Sequence, residues 1–135
     1  MATVNDACRK AYEELKVSQK HKYVIFTMSD DWQEIVVEKV SGAPDYDTFL
    51  ADLPETACRW AVYGFEYEKE GAGARSKIVF YAWMPDGAPI KQKMAFADAK
   101  DTLRRTLPGI GIDIQGTDYN EITFESVLGK ANRGA

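Results

Sequence analysis

Two cysteines and one histidine are all that 135 residues offer for thiol, imidazole or metal chemistry. Cys8 and Cys58 stand 50 positions apart with no second pair beside them. That leaves no zinc ligand set and no disulfide framework, so both thiols read as reduced, cytosolic and buried like small hydrophobes. The lone His21 has no motif partner to make it a base. A Cys58–His21 nucleophile pair is the one thiol-enzyme arrangement the composition permits, and no spacing supports it. Catalytic residues, metal ligands and cofactors are therefore expected to be absent. Gly71 and Gly73 lack the strand–glycine–lysine–helix context of a phosphate loop. Asp45, Asp47, Asp52 and Glu55 lack a calcium-loop pattern. Cations are not in excess: 17 Lys and Arg against 21 Asp and Glu give a net charge of −4, which argues against a nucleic-acid partner. No apolar run approaches the ~20 residues of a membrane span, so no membrane insertion is expected. No charged start followed by an apolar core marks a secretion signal. What is present, 45% hydrophobic and 12% aromatic residues, suits one soluble globular domain over residues 1–135.

The charge is unevenly placed. From Asp30 to Glu70 there are 11 acidic residues against 3 basic ones. From Gly87 to Leu107, Lys91, Lys93, Lys100, Arg104 and Arg105 outnumber Asp98 and Asp101. A basic face on a mildly acidic chain suits an acidic protein surface or an anionic lipid headgroup.

Periodicity places the elements. Val4, Cys8, Ala11, Tyr12 and Leu15 recur at helical spacing, with Asn5 or Asp6 as the cap. Tyr23–Met28 and Gln33–Val40 read as a hairpin turning at Ser29-Asp30-Asp31. Ser41 to Pro44 breaks it, and Asp45 caps a short helix through Tyr46, Phe49, Leu50 and Leu53. Cys58–Tyr67 alternates as a strand, with Trp60 and Val62 on one face and Ala61, Tyr63 and Phe65 on the other. Residues Glu70 to Ala74 form a turn before Lys77–Met84, the most apolar run and hence a central strand. Pro89 opens a helix that Pro108-Gly109 stops near Leu107. Gly111–Gln115 is a last strand, and Thr117 or Asp118 caps a helix ending near Lys130. This order predicts an α/β fold of the α+β type, a central mixed sheet flanked by helices on both faces.

The helix after Pro89 carries the most informative pattern. Successive residues turn by about 100°. With Lys93 at zero, Phe96, Ala99, Leu103 and Leu107 fall between roughly 240° and 320°, a core stripe. Lys100 and Arg104 return to within about 40° of Lys93, a basic stripe, while Ile90 and Met94 fall near 60° to 100°, away from the core. Two outward apolar side chains flanked by cations read as anchors for a groove on another protein. The alternative is a helix bent near Asp98, which turns both inward.

Here the sequence becomes recognisable. Trp83 to Ile110, WMPDGAPIKQKMAFADAKDTLRRTLPGI, resembles the long-helix segment of the ADF/cofilin family of actin-binding proteins. VIFTM with EIVVEKV, DLPETACRWAVYGFEYE, ARSKIVFYAW and IQGTDYNEITFESVL follow in the family's order, so the resemblance covers Thr3 to about Arg133. It implies the actin-depolymerising-factor homology fold and a protein that binds actin monomers and filaments, prefers ADP-actin, and severs or depolymerises filaments. By motif position, Lys91, Lys93 and Met94 match the contact residues of the long helix, and Ile90 joins them as the second outward anchor. Lys100, Asp101, Arg104 and Arg105 continue that surface, and Thr3-Val4 matches the arm beside it. A filament-specific surface falls on Arg75, Lys77, Lys130 and Arg133. The resemblance also implies competition by phosphoinositide headgroups, a monomeric state, and residence in the cytoplasm on the actin cytoskeleton. Departures accompany it. The Ser-Gly of many relatives is missing, leaving Thr3 as the hydroxyl open to regulatory phosphorylation. Gly64 and Gly129 stand where relatives often carry acids, and Gly129 is expected to weaken the last helical turn. Lys16, Lys20 and Lys22 are too sparse to replace the nuclear-import cluster of animal members. Two alternatives are a filament side-binder with little severing and an unrelated small α/β thiol enzyme.

Overall fold

The alternating and apolar runs of the middle of the chain become two long paired strands, and the rest of the molecule is arranged around them. The computed structural model describes residues 2–69 and 71–133. Its strands are β1 (Thr3–Val4), β2 (Tyr23–Met28), β3 (Glu34–Ser41), β4 (Arg59–Lys69), β5 (Gly73–Trp83) and β6 (Ile112–Gly116). Its α-helices are α1 (Asp6–Glu13), α2 (Tyr46–Ala51), α3 (Ile90–Thr106) and α4 (Phe124–Arg133). The strands form one mixed sheet in the order β1-β3-β2-β4-β5-β6. The four inner strands run antiparallel to one another, while β1 and β6 pair in parallel at the two edges.

Side chains on successive strand residues point to opposite faces, and both faces are covered. Trp60, Val62, Phe80 and Ala82 face one core with Cys8 and Tyr12 of α1 and Phe96, Ala99 and Leu103 of α3. Ala61, Tyr63, Phe65 and Tyr81 face the other core with Phe49 of α2 and Val127 and Ala131 of α4. The expected assignment of β4 faces and the expected mixed sheet between helix layers are both present. Trp83 is buried with its indole N–H donating to the Pro54 carbonyl at 2.7 Å, and Trp32 lies exposed on the hairpin turn.

The differences have local causes. Asn5 caps the first helix as expected, but Val4, expected on its apolar stripe, lies in a strand. The Asn5 side chain accepts the Ala7 N–H at 2.9 Å, which starts α1 at Asp6 and releases Thr3 and Val4 to pair with Glu34 and Ile35. Residues Glu14–Ser18 then widen into a π-helical turn, closed by Gln19 in the left-handed region. Ser18 Oγ and the Lys20 N–H both donate to the Glu14 carbonyl. The turn before β5 is shorter than expected, because Gly73 and Ala74 already pair with Lys69 and Glu68. Glu70, included in that expected turn, lies outside the described residues. Asp118 does not cap the last helix. With Glu121 it forms a capping box on a short 3-10 turn, Tyr119–Ile122. The Oγ1 of Thr123 then accepts the Ser126 N–H at the start of α4. Gly129 does not interrupt α4, which continues to Arg133.

Candidate functional site

α3 follows directly from a turn at Pro85–Gly87, with the Ala88 N–H donating to the Pro85 carbonyl at 2.9 Å. Pro89 is its N-cap and Arg104 and Arg105 fill its last turn, where cations meet the partial negative charge of the helix C-terminus. Phe96, Ala99 and Leu103 hold one face against the sheet. The helix runs unbroken from Ile90 to Thr106, so the inward bend near Asp98 does not occur. Ile90 is 74% exposed and Met94 61% exposed, the two most exposed large apolar side chains of α3. Lys91, Asp101 and Arg105 of the same helix are also exposed.

The expected basic stripe is less free than the sequence suggests. Lys93 is half-buried, and its ammonium donates to the Asp86 carbonyl at 3.2 Å. Lys100 is half-buried on the same flank. Arg104 makes two hydrogen bonds to Asp113 on β6, at 2.9 and 3.0 Å, and sits 6.0 Å from the Phe80 ring. Arg104 thus helps hold α3 to the sheet edge as well as facing outward. Gln92 was not singled out in the sequence, yet its Oε1 accepts the Cys58 N–H at 2.5 Å and ties α3 to the start of β4. Its place near 260° on the wheel, a polar residue in a core stripe, was the available signal (about 100° per residue).

The Arg104 guanidinium holds the Asp113 carboxyl below its ordinary value. A carboxylate depressed in the folded state stabilises above its unfolded pKa, near 4, and loses that contribution as pH falls through the folded value. The pair is partly exposed, so its worth at neutral pH is about 0.5–1 kcal/mol. Asp113→Asn should therefore unfold a few degrees below wild type at pH 7, with a narrower gap at about pH 3. Thermal scans at both pH values check this, and a gap independent of pH would remove the ion pair as its cause.

Thr3 is exposed on β1, while Val4 is half-buried against the core that also receives α3. The arm and the long helix are therefore brought together. Arg75 is exposed and Lys77 half-buried near the start of β5, and Lys130 and Arg133 are exposed at the end of α4. α4, which carries Lys130 and Arg133, packs on the opposite face of the sheet from α3.

No thiol-enzyme centre is assembled among the described residues. Burial pushes the Cys58 thiol up, and no hydrogen bond joins it to His21. The His21 ring instead meets Glu14 Oε1 at 3.1 Å. The described residues hold no cluster of three or more potential metal ligands, and no helix is long and apolar enough to cross a membrane.

Comparison with known proteins identifies relatives along the whole chain. The family model for cofilin/tropomyosin-type actin-binding proteins matches residues 1–132. The cofilin of Schizosaccharomyces pombe is 52% identical over 130 residues, covering 96% of this chain and 94% of that protein. The crystal structure of Streptomyces griseoflavus cofilin is 55% identical, with a TM-score of 0.95 and 100% of both chains covered. The crystal structure of Plasmodium berghei actin depolymerization factor 2 reaches a TM-score of 0.88 at 25% identity, covering 98% of this chain and 97% of that one.

Proposed function

Because the chain belongs to the cofilin/ADF family of actin-binding proteins, we propose that the exposed face of α3 with the β1 arm is its principal actin-binding surface. The protein binds actin and promotes filament depolymerisation, and it does so without bond chemistry of its own. The observation that carries the assignment of the surface is the outward exposure of Ile90 and Met94 beside Lys91 on a helix whose opposite face is buried. Central apolar anchors supply most of the energy of such an interface, and rim cations steer the approach. Thr3, Val4, Lys93, Lys100, Asp101, Arg104 and Arg105 complete the surface in this reading.

Arg75, Lys77, Lys130 and Arg133 form the filament-specific contact, reaching the next actin subunit. A ligand that holds two subunits better in an altered twist shifts the filament toward that twist, and severing follows where decorated and bare stretches meet. ADP-actin is the preferred form. The cationic flank of α3 also meets phosphoinositide headgroups, in competition with actin. A phosphate on the exposed Thr3 adds about −1.5 to −2 charges beside that flank and weakens actin binding. The protein works as a monomer on the actin cytoskeleton.

Co-sedimentation with ADP-actin filaments, paired with a monomer-binding titration, tests the two surfaces. Arg75→Ala with Lys77→Ala should cost filament binding about 3- to 10-fold, as expected for two rim charges, and leave monomer binding unchanged. Equal loss in both assays would collapse the two surfaces into one. Filament length under light microscopy at sub-saturating protein separates severing from side-binding alone.

A further inference from the structure

Beyond the π-helical end of α1 lies a cavity of about 440 Å³ that shares only Lys77 with the proposed actin surfaces. It has the size of a small-molecule site, about 300–1,000 Å³. Leu15 and Ile78 supply its apolar wall, and Lys16, Lys20, Lys22 and Lys77 line it against a single carboxylate, Glu66. Lys22 already occupies Glu66 at 2.7 Å. Lys16 and Lys77 have no ion pair among the described residues, the Lys16 ammonium donating to the Pro108 carbonyl at 3.2 Å, and Lys20 pairs with Glu14 at 3.8 Å. Four lysines thus line one recess of a chain whose net charge is −4.

The recess exists for reasons visible in the backbone. The π turn broadens the end of the first helix, a feature often found at functional sites, and Gln19 turns the chain aside in the left-handed region. On β4, Gly64 stands between Val62 and Glu66 on the same face and contributes no side chain. A Cβ at Gly64 would meet only the Lys22 carbonyl at 3.7 Å and Leu15 Cδ2 at 3.9 Å, both ordinary contacts. The space is therefore left open by the choice of glycine and is not demanded by packing.

We propose that this cavity binds a compact organic phosphate: a phosphate monoester on a body with an apolar face, of mononucleotide size or smaller. The dianion offers three acceptor oxygens to ammonium groups arriving from the π turn, the segment before β2, and β5. The body lies against Leu15 and Ile78. A concave, glycine-walled recess suits a ligand that enters it, unlike a flat protein partner.

Titration of the full ¹⁵N-labelled chain with AMP, without actin, tests this independently of the actin-binding assignment. The amides of residues 15–22, Gly64, Gly109 and Gly111 should shift together, and adenosine should bind at least 10-fold more weakly. Gly64→Leu, which fills the recess, and Lys20→Glu, on an exposed side chain that the fold does not need, should each weaken AMP binding at least 10-fold. Vesicles containing phosphatidylinositol bisphosphate separate the two sources of a phosphate monoester: Gly64→Leu should leave their binding unchanged. Adenosine binding as well as AMP, shifts centred on α3, or AMP affinity indifferent to Lys20→Glu would each overturn the proposal. Loss of vesicle binding alone in Gly64→Leu would assign the recess to a lipid headgroup and overturn the soluble ligand.

Discussion

Replacing Ile90 and Met94 together by alanine should weaken actin-monomer binding about 100- to 1,000-fold while the thermal midpoint stays within about 2 °C of wild type. The size comes from the hot-spot scale. A central apolar anchor is worth about 2 kcal/mol or more, and 1.4 kcal/mol is tenfold in affinity, so two anchors acting together approach three orders of magnitude. The stability half comes from exposure. Ile90 is 74% and Met94 61% accessible in the free protein, so truncation opens no cavity. Alanine also favours helix more than isoleucine does, which protects the first turn of α3. Lys91→Ala with Lys93→Ala is the informative companion. It should weaken binding less, and its effect should shrink as salt is raised, because rim charges act through a screened field. A titration of fluorescent actin monomers reads both variants. Unchanged affinity in the Ile90/Met94 variant would move the interface off α3 altogether.

The reason α3 could be read so far in advance is that its information is local. The core stripe of Phe96, Ala99 and Leu103 and the outward pair Ile90 and Met94 follow from angles along one helix. The two faces of β4 likewise follow from alternation, and Trp60 and Val62 separate from Ala61, Tyr63 and Phe65 as expected. What periodicity could not supply was pairing at a distance. Thr3 and Val4 become a strand only because Glu34 and Ile35 offer an open edge. Arg104 is drawn from a free cationic stripe into two bonds with Asp113, a residue on another element. The Cys58 N–H finds Gln92, 34 positions away. The recess beside the π turn was equally hidden. Lys16, Lys20 and Lys22 read as scattered charges until the chain brings Lys77 and the bare Gly64 alongside them. Asp118 shows a different failure: its capping chemistry was legible, but a 3-10 turn claimed it before α4 began.

Phe96→Ala should lower stability by about 3–5 kcal/mol, and the thermal midpoint by more than 10 °C. Phe96 is 2% exposed, and its ring lies 4.3 Å from the Trp60 ring, centre to centre. Removing it takes away the aromatic contact as well as the buried area, and the rigid β4–β5 pair beneath offers little to collapse into the gap. Trp60 makes the site less tolerant still. Its indole N–H is buried without a hydrogen-bond partner among the described residues, so the side chain is held by packing alone. The consequence for function separates anchoring from contact. Phe96 faces the sheet and Met94 faces out, so the folded variant still presents the same outer face. At a temperature well below its midpoint, Phe96→Ala should bind actin monomers within about threefold of wild type, in contrast to the Ile90/Met94 variant, whose midpoint is preserved and whose binding is lost. Chemical denaturation together with the monomer titration measures both quantities. A Phe96→Ala protein that keeps its stability would mean that α3 is not held through this contact. One that is folded but cannot bind would mean that the outer face depends on the exact seating of the helix and not on its exposed side chains alone.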